Sequence, residues 1–126
     1  MLAASRGAYA DPMADTSAGP VIDRMLSGPD FKGVKRVSVQ GLAITALTSG
    51  RADIALQMLP ELMTNKNAVL VGPVPDVYSA SVDFAGGIAT ASNASENAQA
   101  FLSFITAPAA VPVWKAHGVT LMGARP

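Results

Sequence analysis

The chain has 126 residues, half of them apolar, and its nine Lys and Arg are balanced by nine Asp and Glu. That length suits one domain, the apolar share supports a packed core rather than disorder, and the charge balance carries no footprint for nucleic acid or an anionic membrane surface. Cysteine is absent, which excludes disulfides, thiolate metal sites and a cysteine nucleophile together.

The start of the chain, Met1-Leu2-Ala3-Ala4-Ser5-Arg6, lacks the charged opening and apolar centre of a secretory signal. No apolar run approaches membrane-spanning length, so the chain as read is expected to be soluble and without an export address. Gly7 to Asp11 reads as a strand that Pro12 stops. Thr16 or Ser17 caps a following helix, Pro20 fits its first turn, and Val21, Ile22, Met25 and Leu26 form its buried stripe. Gly28-Pro29 ends it. Asp30 to Arg36 is a charged, solvated connection, and Val34 to Val39 reads as a short strand.

Ser38 to Leu62 is the stretch around which the rest is organised. Ser38 is expected to cap a helix carrying Leu42, Ala43, Ala46 and Leu47, with Gly50 as its left-handed C-terminal residue. Ile54, Leu56 and Met58 then alternate with Ala55 and Gln57 at strand spacing. Pro60 and Glu61 open a brief helix that ends near Asn65-Lys66-Asn67. A helix feeding a strand through a glycine turn is an α/β signature. Ala68 to Val71 is expected to form an apolar strand closed by Pro73 and Pro75. Tyr78 to Phe84 alternates most cleanly, with Tyr78, Ala80, Val82 and Phe84 on one face and Ser79, Ser81 and Asp83 on the other. Asn93 to Glu96 has the form of a capping box, followed by Ala94, Ala98, Phe101, Leu102 and Ile105 at helical spacing. A last helix reaches His117 with Gly118 as its stop, and Pro112 places its regular part from Val111 onward.

The inventory for catalysis is thin. His117 stands alone in a last helical turn, where a positive imidazolium suits the dipole. Asp11 with Asp15, and Asp53 with Glu61, have no metal-loop spacing and read as turn and surface residues. Trp114 and Phe101 read as packing residues, and Gly86-Gly87 is not followed by the Lys-Ser or Lys-Thr of a phosphate loop. What remains is capture of a small anion by helix N-termini, whose unpaired N–H groups suit an acceptor-only oxyanion. Thr16 to Gly19 and Ser38 to Gly41 are the two such starts.

Gly50-Arg51-Ala52-Asp53-Ile54-Ala55-Leu56-Gln57, followed by Val69-Leu70-Val71-Gly72-Pro73-Val74-Pro75, resembles the second half of the molybdate-type ABC-transporter periplasmic solute-binding proteins. The resemblance runs from about Gly7 to Gly123. It implies an α/β chain with a partial type II periplasmic-binding-protein-like fold, a small mixed sheet flanked by helices. On this reading residues 1–126 are a single α/β domain, with 7–85 like the second lobe and 86–126 the C-terminal helices that normally pack on the first. It further implies no enzyme activity, no cofactor and no metal, but a small-molecule or oxyanion ligand such as molybdate and an ABC permease as partner. The location implied is periplasmic; without a signal peptide, a complete product of this sequence is expected to be cytoplasmic.

By the same resemblance the ligand contacts fall on the loop of Thr16, Ser17, Ala18 and Gly19, and on a helix start at Val39 or Gln40. A third, a tyrosine hydroxyl in that family, falls on Met58 or Gln57, and of these only the Gln57 amide can donate. Gly7 to Asp11 and Tyr78 to Gly87 are the crossing strands that bend as two lobes close. The resemblance finds no counterpart of the first lobe within these residues. Phe101, Leu102, Ile105, Val113 and Trp114 are therefore expected to face water in a monomer, an exposure worth on the order of 5 kcal/mol, and self-association to a homo-oligomer is expected. The alternative is a truncated, non-binding module that folds by oligomerising.

Overall fold

A computed structural model describes residues 6–14, 16–78 and 80–122. The readings that involve Asp15, Ser79 and Gly123 lie outside these residues. The chain divides into two compact units, the first ending at Val82 and the second beginning at Asp83.

In the first unit a strand, β1 (Arg6–Ala10), is followed by helix α1 (Ala18–Leu26), strand β2 (Lys35–Val39), the short helix α2 (Ile44–Thr48), the two-residue strand β3 (Ile54–Ala55) and helix α3 (Leu59–Met63). The sheet has the order β2-β1-β3, so β1 is central. Both pairings are parallel, with Ala8 opposite Val37 on one side and Ala55 on the other. The fold is thus α/β as expected, and the described strands of the sheet all run the same way. Leu56 N–H donates to the Ala8 carbonyl at 2.9 Å, extending the β1–β3 ladder by one bond.

Alternation along β1 sends successive side chains to opposite faces. Tyr9 joins Ala18, Ile22, Met25, Leu26 and Phe31 in one apolar cluster. Ala8 joins Val39, Ala43, Ala46 and Ala52 in the other. The two clusters place α1 and α2 on opposite faces, as right-handed crossovers running in opposite directions across the sheet, β1 to β2 and then β2 back to β3, require. The α2 face is almost all alanine, so any added methylene there meets a packed neighbour. Tyr9 donates its hydroxyl to Asp23 Oδ1 at 2.7 Å, and Arg36 Nη1 donates to the same oxygen at 3.3 Å. Burial, then the bond to Asp23, hold the Tyr9 phenol above its ordinary value.

Several expected elements differ. The helix expected from Ser38 begins at Ile44, because Ser38 and Val39 are drawn into the β1–β2 ladder and Gly41, at φ +85°, turns the chain before a helix can start. β-Branched Val37 and Val39 suit that strand. Gly50 is left-handed at φ +73°, as expected, and the Ala46 carbonyl accepts from both Arg51 and Ala52 N–H as the chain reverses into β3. Ala68 to Val71 is not a strand: Val69 is 90% exposed and its segment pairs with nothing among the described residues. The described residues of the Tyr78 to Phe84 stretch form no strand either. Asp76–Tyr78 is a 3-10 turn, and Tyr78 and Ala80 pack on the Tyr9 cluster from irregular backbone, Tyr78 edge-on to Phe31 at 5.0 Å and 62°. Alternation marks a strand only where a neighbouring edge is free to pair with it.

The second unit is helical where regular. Helix α4 (Ser95–Thr106) starts one turn-position later than the capping box implies: Ala94 is its N-cap, no side chain caps it, and Ser92 Oγ accepts the Ala94 N–H at 3.2 Å. A 3-10 turn (Pro108–Ala110) leads into α5 (Val111–Ala116), so the regular helix opens at Val111 with Pro112 harmless in its first turn. Trp114 Nε1 donates to the Ile105 carbonyl at 2.6 Å, clasping α5 to α4. Leu102, Ile105 and Trp114 are half-buried, while Phe101 and Val113 face water as expected, at 61% and 60% exposure. Phe104, at 76%, joins them. Among the described residues no helix is long and apolar enough to cross a membrane.

Candidate functional site

In an open parallel sheet, ligands lie outside the carboxyl ends of the strands, where consecutive connections depart in opposite directions. With the order β2-β1-β3 that point falls at the carboxyl ends of β1 and β3. The residues that reach it come from the β1–α1 loop and from the segment after β3, with the β2 end alongside.

The β1–α1 loop is built on Asp11. Its N–H donates to the Val39 carbonyl at 2.9 Å, continuing the ladder past the end of β1. Its Oδ1 accepts from Met13 N–H at 2.9 Å, an Asx turn that lets Pro12 reverse the chain, and its Oδ2 accepts from Gln40 Nε2 at 2.9 Å. Thr16 Oγ1 accepts the Gly19 N–H at 3.2 Å and donates to the Asp11 carbonyl at 3.5 Å. Thr16 therefore caps α1, whereas Ser17, exposed at the formal N-cap position, makes no side-chain cap bond. Ala18 and Gly19 are buried at the helix start. Gly19 is required by space: a Cβ there would lie 2.6 Å from Thr16 Oγ1 and 2.9 Å from the carbonyls of Ala10 and Asp11.

The β2 end differs from expectation. Val39 is a buried strand residue and Gln40 an exposed turn residue, so neither opens a helix. Gln40 instead ties its turn to Asp11. The true helix start, Ile44, already gives its N–H to Gln57 Oε1 at 3.1 Å. Met58 packs against the Tyr9 cluster and contributes bulk rather than a polar contact.

Gln57 is the unusual member. It follows β3 on the α2 side of the sheet, and its carbonyl oxygen is held by the Ile44 N–H. Its Nε2 is buried and has no hydrogen-bond partner among the described residues. Leaving such a donor unpaired costs about 1–3 kcal/mol, and buried amides without an acceptor are rare. The resemblance implied a contact at Gln57, but the Ile44 bond that orients its amide could not be read from sequence, because that bond depends on where α2 begins. Asp11, read from sequence as a turn residue, is the hub joining Thr16, Gln40 and the β1 end; its Asp-Pro pair was the available signal.

A family model described as bacterial extracellular solute-binding protein matches residues 6–120. No curated protein and no solved structure matches the chain.

Proposed function

The chain belongs to the bacterial extracellular solute-binding protein family, and we propose that its solute is a small oxyanion of the molybdate, tungstate, sulfate or phosphate kind, gathered for an ABC permease outside the cytoplasmic membrane. The observation that carries this reading is Gln57 Nε2, just past the carboxyl end of β3, buried and without a hydrogen-bond partner among the described residues. A donor without an acceptor beside the sheet's switch point is what an oxyanion oxygen satisfies. The start of α1 supports it as the positive end of a helix, which favours negative charge, although Thr16 Oγ1 already takes the Gly19 N–H and Pro20 has none to offer. The binding role itself is general to the family; the oxyanion, the permease and the compartment are this proposal's additions. Titration with each of the named anions, read as a shift in thermal unfolding, tests it. Ligand at a hundred times its dissociation constant adds about 2.7 kcal/mol, and a rise with none of them refutes the oxyanion assignment.

A second reading is favoured by Phe84, Phe101, Phe104 and Val113, all largely exposed. On that reading the second unit serves self-association, and light scattering at tens of micromolar reads out a mass above that of the monomer. A clean monomer refutes it.

A further inference from the structure

The charges that cancel over the whole chain are unevenly placed on the first unit. α1 and α2 each carry the chain back from the carboxyl ends of the strands, so the end of α1, the turn into β2, the start of β1 and the turn from α2 into β3 gather at the amino ends of the sheet. Of the chain's nine basic residues, Arg6, Arg24, Lys32, Lys35, Arg36 and Arg51 fall on these segments. Arg6 lies opposite Lys35 in the β1–β2 register, one strand spacing of about 5 Å away. The acids of the same segments, Asp23, Asp30 and Asp53, are half as many. Asp53 is paired with Arg6 at 2.7 Å and Asp23 with Arg36 at 3.3 Å, while Asp30 accepts the Tyr78 hydroxyl at 3.3 Å. Arg24, Lys32, Lys35 and Arg51 are exposed and make no ion pair among the described residues. The large apolar side chains that the described residues expose belong to other segments, and Phe31, which does belong here, is buried. A protein partner is held through an apolar and aromatic centre, whereas phospholipid headgroups ask only for clustered cations.

We propose that this amino-end pole is an interaction surface for anionic phospholipid headgroups, seating the first unit with the carboxyl ends of its strands, and the candidate site beside them, turned away from the bilayer. The inference stands on the placement of charge and does not depend on which solute is bound. Sedimentation of the full chain with vesicles of phosphatidylcholine alone, and of an equal mixture of phosphatidylcholine and phosphatidylglycerol, is the test. Binding is expected to the mixed vesicles only, and to disappear between about 0.05 M and about 0.5 M salt as the charges are screened. Each surface cation strengthens such binding about fivefold. Lys32→Gln, Lys35→Gln and Arg51→Gln combined are therefore expected to weaken it about a hundredfold with the melting temperature nearly unchanged. Asp30→Asn removes an acid from the pole while keeping an acceptor for Tyr78, and is expected to strengthen binding about fivefold. Equal sedimentation with phosphatidylcholine alone, none with either vesicle, or a triple variant within about twofold of its parent overturns the proposal. So does tighter binding to polyglutamate than to mixed vesicles at equal anionic charge, which would make an acidic protein the partner.

Discussion

Gly19→Ala isolates the loop that the candidate site depends on. Gly19 is the second residue of α1, and helix propensity by itself favours alanine there by up to about 1 kcal/mol. The space does not allow it. The new methyl would sit 2.6 Å from Thr16 Oγ1 and 2.9 Å from the Ala10 and Asp11 carbonyls, several tenths of an ångström inside ordinary contact. The carbonyls cannot retreat: Ala10 is paired with Val39 in the ladder, and the Asp11 carbonyl accepts the Ala14 N–H at 3.0 Å. Overpacking of this kind costs about 1–3 kcal/mol, and pushing Thr16 aside forfeits its cap on the Gly19 N–H, about 1 kcal/mol more. Against the propensity gain, the net expectation is a loss of roughly 1–3 kcal/mol. Urea unfolding followed by circular dichroism measures it, with Gly33→Ala as the control. Gly33 has open space around its Cβ position and no left-handed φ, so that change is expected to be neutral or to stabilise by about 0.4–1 kcal/mol. A Gly19→Ala chain as stable as its parent would refute the crowding argument and the loop geometry with it.

The Tyr9 phenol is held above its ordinary value, so the folded state keeps its proton longer than the unfolded chain. Its contribution is full below about pH 10 and is lost as pH rises through the folded-state value; a denaturation series from pH 8 to 11 should show stability falling, and Tyr9→Phe should flatten that fall. Phe31→Ala removes a buried ring from the α1-side cluster and its edge contact with Tyr78, and is expected to cost about 3–5 kcal/mol in the same unfolding assay. Phe104→Glu acts on an exposed ring: it should leave the melting temperature nearly unchanged but lower the mass seen by light scattering, and an unaltered mass would exclude α4 from self-association.

The α/β class, the first strand, the nine-residue α1 with its Ile22, Met25 and Leu26 stripe, the Gly50 turn and the Val111 start of α5 were all legible before any coordinates. Each rests on local rules: a hydrophobic period, a proline or glycine where backbone geometry demands one, a hydroxyl ready to cap. The Thr16 cap at the start of α1 was legible in the same way. What tertiary structure decided was which of the competing local readings each segment followed where its backbone partners lie far along the chain. Ser38 and Val39 have the composition of a helix entry, yet β1 offered them a ladder, and long-range pairing outweighed a local cap. Tyr78 to Phe84 alternates like a strand, but alternation supplies only a face, and a strand also needs an edge to bond to. The same dependence explains Gln57: its residue type promises both a donor and an acceptor, and only the arrival of the Ile44 N–H, thirteen positions earlier in sequence, engages the acceptor and leaves a buried donor without a partner among the described residues.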